Sequence, residues 1–92
     1  MQMIEYLTLD INPAAVTSED RILAIHKKGT PDRIVDWQVT HREDRVCVQH
    51  GTTHVYVEYA QPDRTEGTHE FTDPAERLTV SRPVLHCVVR AA

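Results

Sequence analysis

The sequence predicts an α+β fold, in which one antiparallel sheet of about five strands carries a short helix on its apolar face. Three observations support this prediction. Apolar and polar residues alternate through 34–60, which is typical of strands with one buried face. Glycine and proline divide the chain into short segments. Residues 18–28 carry the end signals of a helix. If 18–28 is a strand instead, the alternative is an all-β small barrel or sandwich.

The first predicted strand is MIEYLTLDI, residues 3–11, which is rich in β-branched and aromatic side chains. Leu7, Leu9 and Ile11 would share one face of it, because successive side chains of a strand point to opposite faces. This face would be turned toward the core.

The predicted helix lies in TSEDRILAIHKKG, residues 17–29. Thr17 or Ser18 can cap its first turn, and the two lysines near its end suit the helix dipole. Gly29 can terminate it. Ile22 and Ile25, three residues apart, would then lie on the face that covers the sheet. The alternation of apolar residues at 23 and 25 supports a strand as the competing interpretation.

The central meander, residues 34–60, is predicted from two hairpin turns. Gly51-Thr52 suits a two-residue turn, and Glu43-Asp44 is the second, weaker candidate. The two registers agree and give the sheet an apolar and a polar face. The predicted apolar face contains Val35, Trp37, Val39, Val46, Val48, Val55, Val57 and Tyr59. The predicted polar face contains Asp36, Gln38, Thr40, Arg45, Cys47, Gln49, His54, Tyr56 and Glu58.

In the last third of the chain, the sequence predicts strands at 77–81 and 83–90, after a short segment at 69–72. Pro83 separates the two strands and is expected at an edge or a bend, because proline cannot donate to a sheet ladder.

The composition and net charge of the chain exclude several classes of function. The 92 residues predict a single domain, 1–92, with a net charge of −4 and no basic block, so nucleic acid is an unlikely partner. No apolar run is long enough to span a membrane, and the expected location is cytoplasmic. No glycine-rich phosphate loop is present, and no cofactor is predicted. Cys47 and Cys87 are expected to be free thiols.

The favoured function is non-catalytic: a small protein-binding module of the adaptor or inhibitor type, such as phages and mobile elements encode. The predicted partner is another protein, and a homodimer through an edge strand is compatible with the pattern. The predicted binding surface mixes an aromatic residue, an arginine and amides, which are residue types that anchor interfaces. It consists of Arg45, Gln49, His54, Tyr56 and Glu58.

A small metal-independent ribonuclease is the first alternative. His54 and Glu58 would transfer protons, and Arg45, predicted to lie opposite Glu58, would stabilise the phosphorane. The same residues are also what an ordinary solvated sheet face with one cross-strand ion pair would contain.

A zinc-stabilised module is the second alternative, since Cys47, His50 and His54 form the string C-x2-H-x3-H. The alternation of the strands argues against it, because His50 would point away from the other two side chains. Scattered histidines are most often surface residues.

Overall fold

The computed structural model describes residues 2–87, with the side chains of residues 4–84. Six strands form one open antiparallel sheet in the order β1-β6-β2-β3-β4-β5. The strands are β1 (Gln2–Ile11), β2 (Arg21–His26), β3 (Arg33–Cys47), β4 (Thr52–Ala60), β5 (Glu66–Phe71) and β6 (Arg77–Cys87). The single helical element in the described chain is a 3-10 turn, Pro13–Ala15. The antiparallel sheet is therefore confirmed, with one strand more than the predicted five.

The predicted helix at 18–28 is wrong, because β2 occupies most of this segment. A β-bulge between Ile22 and Ala24 shifts the register by one residue. Ile22 and Ile25 are consequently both buried although they are three residues apart, which is the spacing of a helix. The expected helix terminator, Gly29, has a left-handed φ of 82° in the β2–β3 turn.

The apparent capping residues before β2 form a turn instead. The Asp20 carboxylate accepts a hydrogen bond from the backbone N–H of Thr17 at 2.9 Å. The Thr17 hydroxyl accepts one from the N–H of Glu19 at 3.3 Å. Short polar side chains make such local bonds in turns as readily as at helix ends. The residues that were interpreted as a helix cap therefore mark a turn of the chain and not the start of a helix.

The second predicted turn, at Glu43-Asp44, is absent, and β3 runs through it for 15 residues. The β3–β4 turn contains four residues, Val48–Gly51, in place of the predicted two-residue turn at Gly51-Thr52. The carbonyl of Cys47 accepts hydrogen bonds from the N–H groups of His50 and Gly51 at 3.3 and 2.8 Å.

A second bulge, at Thr40, reverses the faces of the outer half of β3. After the bulge, Asp44 and Val46 lie on the same face as Val55 and Val57, which is the apolar face, but this end of the hairpin extends past the core. Val46 and Val48 are 69% and 92% exposed, whereas the sequence predicted both on the buried face. In the inner half, Trp37 and Val39 are buried as expected.

One continuous strand, β6, replaces the two predicted at 77–81 and 83–90; residues 88–90 lie outside the described part. Pro83 pairs with Tyr6 on β1. The ladder between β2 and β6 reaches only Arg21–Ser81, so Pro83 interrupts no pairing on that side. Its position beyond the end of β2 explains how a proline can stand inside a central strand.

The core lies on one side of the sheet, the apolar face. The connection between β1 and β2 packs on this face: Val16 joins the core, and Arg42 and Arg82 donate hydrogen bonds to the carbonyls of Ala14 and Ala15. The connection thus takes the place expected for the helix. The core cluster consists of Val16, Ile22, Ile25, Trp37, Val39, Val55, Val57, Phe71, Leu78 and Val80.

Candidate functional site

The polar face of the β3–β4 hairpin carries the predicted binding residues, in a register different from the predicted one. Arg45 lies opposite His54, where the sequence placed it opposite Glu58, and His41 lies opposite Glu58. Pairing differs from the prediction by four residues, an even number. His54, Tyr56 and Glu58 therefore keep the face predicted for them.

Arg45 is held within the hairpin by its neighbours. Its guanidinium lies 3.6 Å from the ring centroid of Tyr56. The same guanidinium donates hydrogen bonds to the carboxylate of Glu43, at 2.8 Å from Nε and 2.7 Å from Nη2. This pairing lowers the pKa of Glu43 and raises that of Arg45. One face of the Tyr56 ring is thus covered by the protein's own side chain.

His54 meets a different carboxylate from the predicted one. Its Nδ1 lies 3.6 Å from an oxygen of Glu70 on β5, and its Nε2 lies 3.3 Å from the hydroxyl of Thr52. Glu58 is four residues further along the same strand, which separates the two Cα atoms by about 13 Å. The ribonuclease set of His54, Glu58 and Arg45 is therefore not assembled around one reacting phosphate.

The residues of the zinc alternative are only partly brought together. The β3–β4 turn places Nδ1 of His50 3.3 Å from the sulfur of Cys47. His54 instead contacts Thr52 and Glu70. Among the residues that the structure describes, no group of three His, Cys, Asp or Glu side chains is arranged to hold a metal ion.

The remaining predicted contact residue, Gln49, lies in the exposed turn beyond the ends of the strands. It is separated from the network of Arg45, Glu43 and Tyr56. The predicted surface is therefore a charged sheet face, largely satisfied internally, with a separate turn at its end.

A second candidate surface is the edge strand β1. It pairs with β6 along its whole length of 10 residues, and no other strand neighbours it in the described sheet. Ile4 and Tyr6 are 63% and 68% exposed, and Leu7 is 40% exposed. Residues 2–11 contain no lysine, arginine or proline, the residues that commonly protect a sheet edge from another chain.

Sequence reasoning identified β1 as a strand but could not identify it as an edge. Edge position depends on strand order, which places β6, the last strand, between β1 and β2. The only available signal was the absence of edge-protecting residues in 2–11. Sequence reasoning also missed three residues of the polar face, because their positions depend on the bulge at Thr40 and on the pairing of β5. These residues are His41, Glu43 and Glu70.

Comparisons with known proteins add no assignment. No family model matches the chain, and no curated protein or solved structure matches it significantly. Within residues 2–87, the structure has no helix of the length and apolar character needed to cross a bilayer.

Proposed function

We propose that this protein is a small non-catalytic binding module that docks another protein by adding a strand of that partner to the edge of β1. The observation that carries the proposal is the unprotected edge itself. A long edge strand with exposed apolar side chains offers unpaired backbone N–H and C=O groups to another chain.

The opposite edge, β5, is a poorer acceptor. It has only six residues, and two of them are glutamates. Gly67, near its start, adds no side chain to an interface. Short, charged edge strands are the ones that proteins use to discourage pairing. The contrast with β1 is the reason for placing the docking site there.

The chemistry of β1 defines the partner segment. Its two charged residues already interact within the protein: Glu5 has a partner, and the Asp10 carboxylate lies 3.2 Å from Nε of Arg77. The exposed apolar side chains therefore define the complementary strand. Ile4 and Tyr6 point to one face of the sheet and Leu7 to the other. The proposed occupant is thus an extended segment of another protein with apolar residues at alternating positions.

A second copy of the chain is the competing occupant. In such a dimer, the two β1 strands would pair antiparallel about a two-fold axis perpendicular to the sheet. This axis keeps each side chain on the same face in both copies, so it must pass beside one residue, which then faces its own copy. Centring on Glu5 would oppose two carboxylates, whereas centring on Tyr6 would oppose two aromatic rings.

The test compares two lysine variants in affinity capture from lysate of the source organism. Ile4→Lys/Tyr6→Lys places charges on the edge. Ile34→Lys is the matched control, because Ile34 is 78% exposed but belongs to the interior strand β3. The proposal predicts that a stoichiometric partner is lost by the β1 variant and retained by the Ile34 variant.

Two outcomes would contradict the proposal. Capture that is equal for both variants would place the interface elsewhere. A concentration-dependent dimer in sedimentation equilibrium that the β1 variant abolishes, without any captured partner, would identify a second copy as the occupant. Circular dichroism and thermal unfolding of both variants establish that the exposed substitutions leave the fold intact.

The polar face of the hairpin stays a second predicted docking surface. Its predicted contact residues are Arg45, Gln49, His54, Tyr56 and Glu58. Tyr56→Ala in the same capture experiment tests it, since loss of the partner with this variant alone would move the interface to that face. The adaptor or inhibitor role and the cytoplasmic location stay predictions as well.

A further inference from the structure

A cleft on the apolar side of the sheet lies between the β2–β3 turn and the connection from β5 to β6. Its volume is about 290 Å³, which is close to the lower end of the range for small-molecule sites. It is distinct from the β1 edge, at the other end of the strand order. The cleft is lined mainly by Ile25, Lys27, Arg33, His69, Glu70 and Glu76; Glu70 also lies 3.6 Å from Nδ1 of His54 on β4.

Glu76 is the unexplained group in this cleft. Its side chain belongs to a residue only 8% exposed. Within residues 2–87, its carboxylate makes no hydrogen bond and no ion pair; the nearest charges that act on it are Lys27 and Asp73. Burial is the main cause that raises its pKa. The side chain is packed into the lining, while the carboxylate oxygens keep contact with solvent and can accept from a ligand in the cleft.

Two cations face the same cleft. Neither Lys27 nor Arg33 forms an ion pair with a carboxylate of the described chain within 4.0 Å. The Arg33 guanidinium lies 5.1 Å from the Trp37 ring centroid, which orients it along the wall of the cleft. Its N–H donors remain available to an anion.

Beside these charged groups, one side of the cleft is aromatic. The His69 ring lies 5.3 Å from the Trp37 ring and 4.6 Å, edge-on, from the Phe71 ring. Burial, followed by the charge of Arg33, lowers the pKa of His69. At neutral pH this wall is therefore uncharged, and with Ile25 it offers an apolar surface beside the charged groups.

We propose that this cleft binds a small zwitterion of the α-amino acid class. The ligand's ammonium group would donate to the Glu76 carboxylate, and its carboxylate would accept from Arg33 and Lys27. Its side chain would lie against Ile25 and His69. This ligand pairs with the Glu76 carboxylate and with both cations together, which neither a simple anion nor a simple cation does.

The experiment is an NMR titration of the isotope-labelled protein with each of the free L-amino acids. Each ligand is compared with its N-acetyl derivative and its amide, which lack the ammonium and the carboxylate respectively. The proposal predicts that at least one amino acid shifts the resonances of Lys27, Arg33, His69 and Glu76. Both derivatives should bind at least about tenfold more weakly, because each lacks one of the two charged groups that the cleft contacts.

Substitutions locate the site. Glu76→Gln and Arg33→Gln should each weaken binding about tenfold or more, whereas Glu66→Gln, an exposed glutamate of β5 outside the cleft, should leave it unchanged. Binding of the ammonium should also lower the pKa of Glu76, read from its side-chain carboxyl resonance, because a nearby cation favours the charged form.

Three outcomes would overturn the proposal. The first is the absence of any shift at these residues up to about 10 mM of every amino acid. The second is equal binding of a ligand and its N-acetyl derivative, which would reduce the cleft to an anion site. The third is unchanged binding by Glu76→Gln.

Discussion

Gly67→Ala is a sharp test of packing between β4 and β5. The added methyl group should favour the strand conformation but should also clash with a neighbouring side chain. Gly67 lies directly opposite Tyr59. A Cβ added there would lie 2.5 Å from the Tyr59 hydroxyl oxygen and 2.6 Å from Cζ. The ring of Tyr59 is stacked on Trp37, with centroids 4.1 Å apart and planes 10° apart. The ring therefore has to leave this stack to accept the methyl group.

The magnitudes favour destabilisation. Replacing glycine by alanine in a strand ordinarily stabilises the fold by about 0.5–1 kcal/mol. Overpacking costs about 1–3 kcal/mol, and loss of an aromatic stack about 0.5–1.5 kcal/mol. The net expected loss in the free energy of unfolding is about 1–3 kcal/mol, which for a domain of this size lowers the Tm by several degrees.

The assay is urea unfolding followed by the fluorescence of Trp37, the only tryptophan in the chain. In a Tyr59→Leu background the clash is relieved, so Gly67→Ala should be neutral or stabilising there. Thr68→Ala, an exposed neighbour on β5, controls for a general effect of changing this strand. A Gly67→Ala protein as stable as the wild type with Tyr59 present would refute the packing argument.

Three further predictions concern charged groups. Asp20 is fully buried and accepts two hydrogen bonds of 2.8 Å from Arg82; Arg82→Leu should cost about 3–5 kcal/mol in urea unfolding, and equal stability would contradict it. Because the pKa of His69 is lowered in the fold, the unfolded chain takes up this proton first, and the stability that His69 contributes is lost as pH falls below about 6.5. His69→Phe should therefore lose less stability than the wild type between neutral and mildly acidic pH, and equal losses would be the contrary result. The pKa of Glu76 is raised, so its ionisation destabilises the fold as pH rises through that pKa; Glu76→Gln should raise stability at pH 7 by about 1 kcal/mol, and a lower Tm would oppose this.

The alternation of apolar residues was sufficient to predict an antiparallel sheet and the part of its core that the central meander supplies. Trp37, Val39, Val55 and Val57 are buried as predicted. The β3–β4 register nevertheless differs by four residues, because the turn, residues 48–51, is centred two residues earlier than the predicted turn at Gly51-Thr52. An even difference preserves the faces of β4, so the assignment of His54 and Tyr56 to the polar face survived an incorrect pairing.

The errors trace to two bulges and to strand order. The bulge after Ile22 gave a strand the residue spacing of a helix. The bulge at Thr40 lets β3 continue through the predicted turn at Glu43-Asp44, which leaves Val46 on its predicted face but beyond the core. Neither site contains the glycine that often marks a bulge. The placement of β6 beside β1 depends on long-range packing, so the exposed edge and the Glu76 cleft had no local signal in the sequence.

Hydrogen exchange of the β1 amides, measured in the free protein and in the captured complex, tests the central claim most directly. In an antiparallel edge strand, alternate N–H groups point away from the sheet and exchange rapidly. Strand addition predicts that these alternate amides of residues 2–11 become strongly protected in the complex. Unchanged exchange along β1, with protection at Arg45 to Glu58 or at no part of the sheet, would contradict docking at this edge.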